Sequence, residues 1–151
     1  MLCSKLDKYQ DAGLLIIRLG LGAMFLYHGA PKLFGGVEAW IKVGAAMKFI
    51  GLGFAPAFWG FMAAFAEFGG GLLLMTGLFF RPALFLLTVT MAVAASMKFA
   101  TGAGLFGASQ AIEDGIVFVG LFLIGPGKYS LDRKLSEKVA LCRSAGTTYS
   151  R

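Results

Sequence analysis

Four stretches of this chain are long, apolar and almost free of charge, at 12–34, 55–80, 82–98 and 109–125. A helix needs roughly 20 apolar residues to cross about 30 Å of hydrocarbon. Backbone exposed to lipid must satisfy its own hydrogen bonds, which leaves helices and closed barrels as the available solutions. The runs are continuously apolar instead of alternating every second residue, which excludes barrel strands. The shortest run gains length from Arg81 and Lys98 at its ends, whose stems can snorkel to the headgroups. An all-α membrane protein is expected: a four-transmembrane-helix bundle over 12–127, an N-terminal tail at 1–11 and a basic tail at 128–151.

Of 151 residues 58% are hydrophobic and 15% charged, against roughly 45–50% and 25% in soluble domains. Four crossings leave little chain for a catalytic domain outside the membrane. Lys5 and Lys8 precede the first run as in a signal peptide, but Arg18 interrupts it, no A-x-A-like cleavage site follows and three more runs come after, so a retained helix is expected. Pro126 and Gly127 end the fourth run.

Two further segments are amphipathic. Val37, Trp40, Ile41, Gly44, Met47 and Ile50 recur at three and four residues with Glu38, Lys42 and Lys48 elsewhere on the wheel, which predicts a short interfacial helix over 37–50 anchored by Trp40. In the tail, Ser130 is an N-cap candidate. Leu131, Leu135, Val139 and Cys142 then share one face, opposite Arg133, Lys134, Glu137 and Lys138. That helix is expected to lie on the membrane.

The net charge is +6, and six of the 14 Lys and Arg lie at or after Lys128, where aromatic residues are sparse. Membrane lipids are thus the expected partner, and nucleic acid is not. With four crossings the termini share a side, which collects nine Lys and Arg against four opposite, so both termini are expected in the cytoplasm. Cys3 and Cys142 sit singly in the tails, which offers no zinc site, iron–sulfur cluster or CxxC pair. A reducing compartment also argues against a disulfide between them.

Charges inside a bilayer are costly and call for a partner or a purpose. Glu67 is the only charge in its run, with Ala63, Gly70 and Gly77 on its face and Gly69 and Gly71 beside them. Small residues there admit a second helix or a flat ligand to the backbone. Arg18 is the expected partner of Glu67, either as a structural pair or within a site. A second group, His28, Lys32, Lys98, Glu113 and Asp114, is expected to surround a polar mouth at the opposite end, if the helices pack antiparallel. These residues have plainer readings, as interfacial side chains in water or as carboxylates favoured near a helix N-terminus. Gly102 to Gly107 matches G-x-G-x-x-G, but no strand precedes it and no dinucleotide domain surrounds it, so it is expected to be an outer loop whose glycines let it turn and pack near the polar mouth.

The sequence Ile17-Arg-Leu-Gly20, then His28-Gly-Ala-Pro-Lys-Leu-Phe34, Ala66-Glu-Phe-Gly-Gly-Gly71, Thr76-Gly-Leu-Phe-Phe-Arg81 and Gly125-Pro-Gly-Lys-Tyr-Ser-Leu-Asp132 resembles the DoxX family of small bacterial membrane proteins. The resemblance runs from about Leu14 to Leu135. It implies a four-helix protein of the bacterial cytoplasmic (inner) membrane, related to a subunit of a thiosulfate:quinone oxidoreductase and to proteins linked with quinone and catechol resistance or oxidative stress. Arg18, Lys32, Glu67, Arg81, Glu113 and Asp114 match its pattern, with Gly69, Gly70 and Gly71, whereas His28 departs from it.

The leading functional expectation is a membrane subunit that binds a quinone or related small molecule beside a partner redox protein or a second copy. Arg18, His28, Lys32, Gly70, Gly71, Lys98, Glu113 and Asp114 are the candidate ligand-binding residues, and Glu67 is a possible proton relay. With one histidine and no cluster or flavin motif, no intrinsic cofactor or metal is expected, and any electron carrier belongs to the partner. A non-catalytic anchor or assembly factor is the alternative. A small transporter or proton path is the third, weakened by the lack of an inverted repeat.

Overall fold

The computed structural model describes the backbone of residues 6–148 and the side chains of 6–140. After a 3-10 turn at Asp7–Tyr9 come α1 (Gln10–Phe34), α2 (Gly36–Gly44) and a 3-10 stretch at Ala45–Ile50. These are followed by α3 (Pro56–Thr76), α4 (Phe80–Ala100), α5 (Gly104–Ile124) and α6 (Leu131–Thr148). Helices α1, α3, α4 and α5 are each long and apolar enough to span a membrane, and the described residues contain no strand. Cys3 and the side chain of Cys142 lie outside the described residues.

Several boundaries differ from the hydropathy reading. The run at 55–80 is broken: α3 stops at Thr76, Gly77 turns left-handed with φ 66°, and its N–H donates to the Leu73 carbonyl. Leu78, Phe79 and Phe80 continue the apolar sequence, so hydropathy passes over this turn. Helix α4 then runs from Phe80 past Lys98 to Ala100 instead of 82–98. The glycine-rich segment expected as a loop contributes its second half to α5, which begins at Gly104 and not at 109. The only left-handed glycines in that segment are Gly102 and Gly104. The segment at 37–50 is α2 plus a 3-10 stretch, and α2 packs on the first half of α3, where a Cβ on Gly60 would overlap the Trp40 backbone.

Helix α1 packs along α3, α3 against α4 and α4 along α5, whereas α1 and α5 scarcely touch backbone to backbone. One seam of the bundle is therefore open. It is closed at one level by Phe25 and Phe118, edge to face at 5.0 Å. The apolar core of Phe25, Leu74, Phe80, Leu84, Leu87, Met91, Phe118 and Leu121 fills the half of the bundle beside the Gly77 turn.

The end of the bundle on that side is tied by hydrogen bonds. The loop leaving α5 folds back so that the carboxylate of Asp132 accepts from the N–H groups of Phe79 and Phe80, at 2.9 and 3.0 Å. These are orphan donors at the start of α4, which a capping carboxylate satisfies. Ser130, 1% exposed, accepts from the Arg133 N–H at 3.3 Å and donates to the Gly127 carbonyl at 2.8 Å.

Candidate functional site

In the other half of the bundle the open seam widens into a cavity of about 340 Å³. Leu21, Met24 and Phe25 from α1, Met91 and Ala94 from α4 and Ala111 from α5 form its apolar wall. Its polar residues are His28, Lys32, Glu67, Lys98, Gln110 and Asp114. A mostly apolar cleft with a few convergent polar groups is the usual form of a small-molecule site.

Lys32 and Glu67 form the centre. The Lys32 ammonium donates to both carboxylate oxygens of Glu67, at 2.7 and 2.6 Å. Glu67 is 4% exposed, whereas the Lys32 side chain is 36% exposed. The carboxylate is thus held in the protein and its counter-ion reaches it from the cavity. Such pairing and hydrogen bonding make a buried charge tolerable.

The expected pairing of Arg18 with Glu67 is not formed. Arg18 is 1% exposed, and its guanidinium donates to the carbonyls of Leu74, Met75, Pro126 and Tyr129 at 3.0, 2.9, 2.7 and 3.3 Å. It also lies 5.7 Å from the centre of the Phe80 ring. Helix register is the reason. Antiparallel packing brings Gly29 against Phe68 and Gly22 against Gly71 and Met75, so Arg18, one turn before Gly22, meets the end of α3 and not its middle. Arg18 is a clamp joining α1, the end of α3 and the loop after α5, and it is not at the cavity.

Gly70 and Gly71 do not line the cavity either. A Cβ on Gly71 would come 2.8 Å from the Gly22 carbonyl oxygen, and one on Gly70 would press on Leu87 at 3.0 Å. Their space is taken by helices α1 and α4 rather than left for a flat ligand. Of the five residues expected around a polar mouth, His28, Lys32, Lys98 and Asp114 are brought together and Glu113 is not. Gln110 is the polar lining residue that sequence reasoning missed. Its signal was a spacing of four from Asp114, which places both on one face of a helix.

A family model described as DoxX matches residues 13–102. Inner membrane protein YqjF of Escherichia coli is 31% identical over 140 residues, which span 88% of this chain and 99% of that protein. A protein of Haemophilus influenzae described as uncharacterized is 30% identical over 141 residues, spanning 89% and 99%. No solved structure matches the chain significantly.

Proposed function

The chain belongs to the DoxX family, and on that premise we propose that it is a membrane subunit binding a quinone or related carbonyl compound in the cavity between α1, α3, α4 and α5, beside a partner redox protein. One observation carries this reading. A buried, ion-paired carboxylate stands on the wall of a cavity to which His28, Lys98, Gln110 and Asp114 also turn, all four without a hydrogen-bonding side-chain partner among the described residues.

Quinone carbonyl oxygens accept hydrogen bonds, and Lys98, Gln110 and a ring N–H of His28 are donors of the required kind. The cavity volume is a little over twice the roughly 150 Å³ that holds one benzene ring, which suits a head group of one or two rings. An isoprenoid tail would leave through the seam between α1 and α5. Reduction of a quinone to a quinol takes up two electrons and two protons. Lys32 with Glu67, and Asp114, are the groups that hold or pass protons beside the ring. The electrons come from the partner, since a chain with one histidine and no cluster motif offers no bis-His haem or cluster ligation.

The test is binding of a short-chain quinone to the purified protein in nanodiscs, with Ala94→Phe to fill the cavity and Phe65→Leu on the outer surface as control. The reading requires binding by the parent and the control and a loss of about tenfold or more in Ala94→Phe. Equal affinity in all three would overturn it. The excess of Lys and Arg on the side of the termini supports a cytoplasmic location for both tails. A membrane-impermeant thiol reagent should then reach the native cysteines only after the inner membrane is opened.

A further inference from the structure

The cavity leaves one intramembrane charge unexplained. Glu113 is the tenth residue of the 21 in α5, about 14 Å from the helix start at 1.5 Å per residue. Asp114 turns into the cavity, and Glu113, about 100° around the helix from it, turns away and is exposed. It has no ion-pair or hydrogen-bonding side-chain partner among the described residues. Carboxylates at this depth almost always face protein or trapped water, because the hydrocarbon solvates them poorly.

One position on that face admits close approach. Gly120 lies two turns further along the same side, and a Cβ placed on it would meet nothing within 4 Å. Val117 and Ile116, 39% and 66% exposed, flank the line between them. Small residues beside a polar group are the usual composition of a helix-packing surface in membranes.

The other charged groups of this chain indicate what covers the face. Among the cations of the spans, Arg18 is consumed by four carbonyls and Lys32 by Glu67. Arg81 lies over the Phe122 ring at the other end of the bundle, and His28 and Lys98 line the cavity. None of them faces outward at the level of Glu113. A second copy docked symmetrically through this face would set carboxylate against carboxylate.

We propose that the outer face of α5 is the docking site for a transmembrane helix of a different protein, one that presents a lysine or arginine opposite Glu113 and packs closely over Gly120. The charge-assisted hydrogen bond replaces contact of the carboxylate with lipid. The proposal does not rest on the identity of the cavity ligand, because Glu113 lies off the cavity wall.

The test places the photo-cross-linker benzoylphenylalanine at Val117 in native membranes, with Phe85 on α4 as the control position. An adduct with another polypeptide is expected, mapping to a transmembrane peptide that contains Lys or Arg. Glu113→Gln should lower its yield by at least about tenfold, and Glu113→Asp should keep it, which separates loss of charge from loss of fold. Glu113→Lys should be rescued by an acidic residue at the partner's basic position. Adducts to lipid alone, adducts to a second copy, a partner peptide without a basic residue, or a yield unchanged by Glu113→Gln would each overturn the proposal. Quinone affinity should be the same in Glu113→Gln, so failure here and failure of the cavity reading are read separately.

Discussion

The ammonium of Lys32 lies 2.7 and 2.6 Å from the two carboxylate oxygens of Glu67, and of this pair on the cavity wall the lysine is the exposed partner and the glutamate the buried one. The consequence is an asymmetry between the partners. If the lysine is lost, a carboxylate is stranded in the protein. If the glutamate is lost, an ammonium remains that is already 36% exposed and can turn toward water.

Lys32→Met should therefore destabilise the protein more than Glu67→Gln, by about 3 kcal/mol against about 1 kcal/mol. Adding Glu67→Gln to Lys32→Met should recover part of the larger loss. Thermal unfolding in mild detergent, read as a double-mutant cycle, checks this, and equal losses in the two single variants would contradict the asymmetry.

Arg18→Lys should cost about 2–4 kcal/mol. An ammonium cannot span the four carbonyls that the planar fork reaches from α1 to the ends of α3 and α5. Quinone affinity measured on the folded fraction should not change, since Arg18 is off the cavity. A loss of affinity at unchanged stability would return Arg18 to the site.

Glycines on α1 should separate by face. In Gly29→Ala the new methyl would come 2.6 Å from the Phe68 nitrogen, a backbone atom that cannot move aside, so α1 and α3 are forced apart at a cost of about 1–3 kcal/mol. Gly20→Ala meets nothing within 4 Å and should be neutral, or stabilising by up to about 1 kcal/mol through helix propensity. The two melting temperatures, compared in the same detergent, decide it.

Asp132→Ala should cost about 1–2 kcal/mol by stranding the Phe79 and Phe80 N–H groups at the start of α4, while Asp132→Asn, which keeps one acceptor oxygen, should lose less. Phe79 has φ 45°, a left-handed conformation unusual for a residue with a side chain. Faster proteolysis between Gly77 and Phe80 in Asp132→Ala than in Asp132→Asn would report release of this turn.

Much of this architecture is legible in the amino-acid sequence because hydropathy is a local, additive property. The spanning helices α1, α3, α4 and α5 fall on the apolar runs, with the larger misplacements of their ends where glycine and phenylalanine share a turn, at Gly77–Phe79, and where glycines are helical, as at Gly107. Glu67 was conspicuous as the only charge in its run. The glycines of α3 were conspicuous as well, although the sequence alone allowed them to serve either a helix or a ligand.

What the sequence by itself determined is how many times the chain crosses the membrane and which charges must be accommodated there. Tertiary structure alone decided which cation meets which acceptor. That depends on the rotation and register of α1 against α3, set by the close contacts of Gly22 with Gly71 and of Gly29 with Phe68. These contacts bring Lys32 level with Glu67 and carry Arg18 past it to the carbonyls of Leu74 and Met75. The packing of α5 along α4 leaves it turned so that Asp114 lies at the cavity and its neighbour Glu113 is exposed. One residue of rotation separates the two carboxylates, and no property of either residue taken alone predicts it.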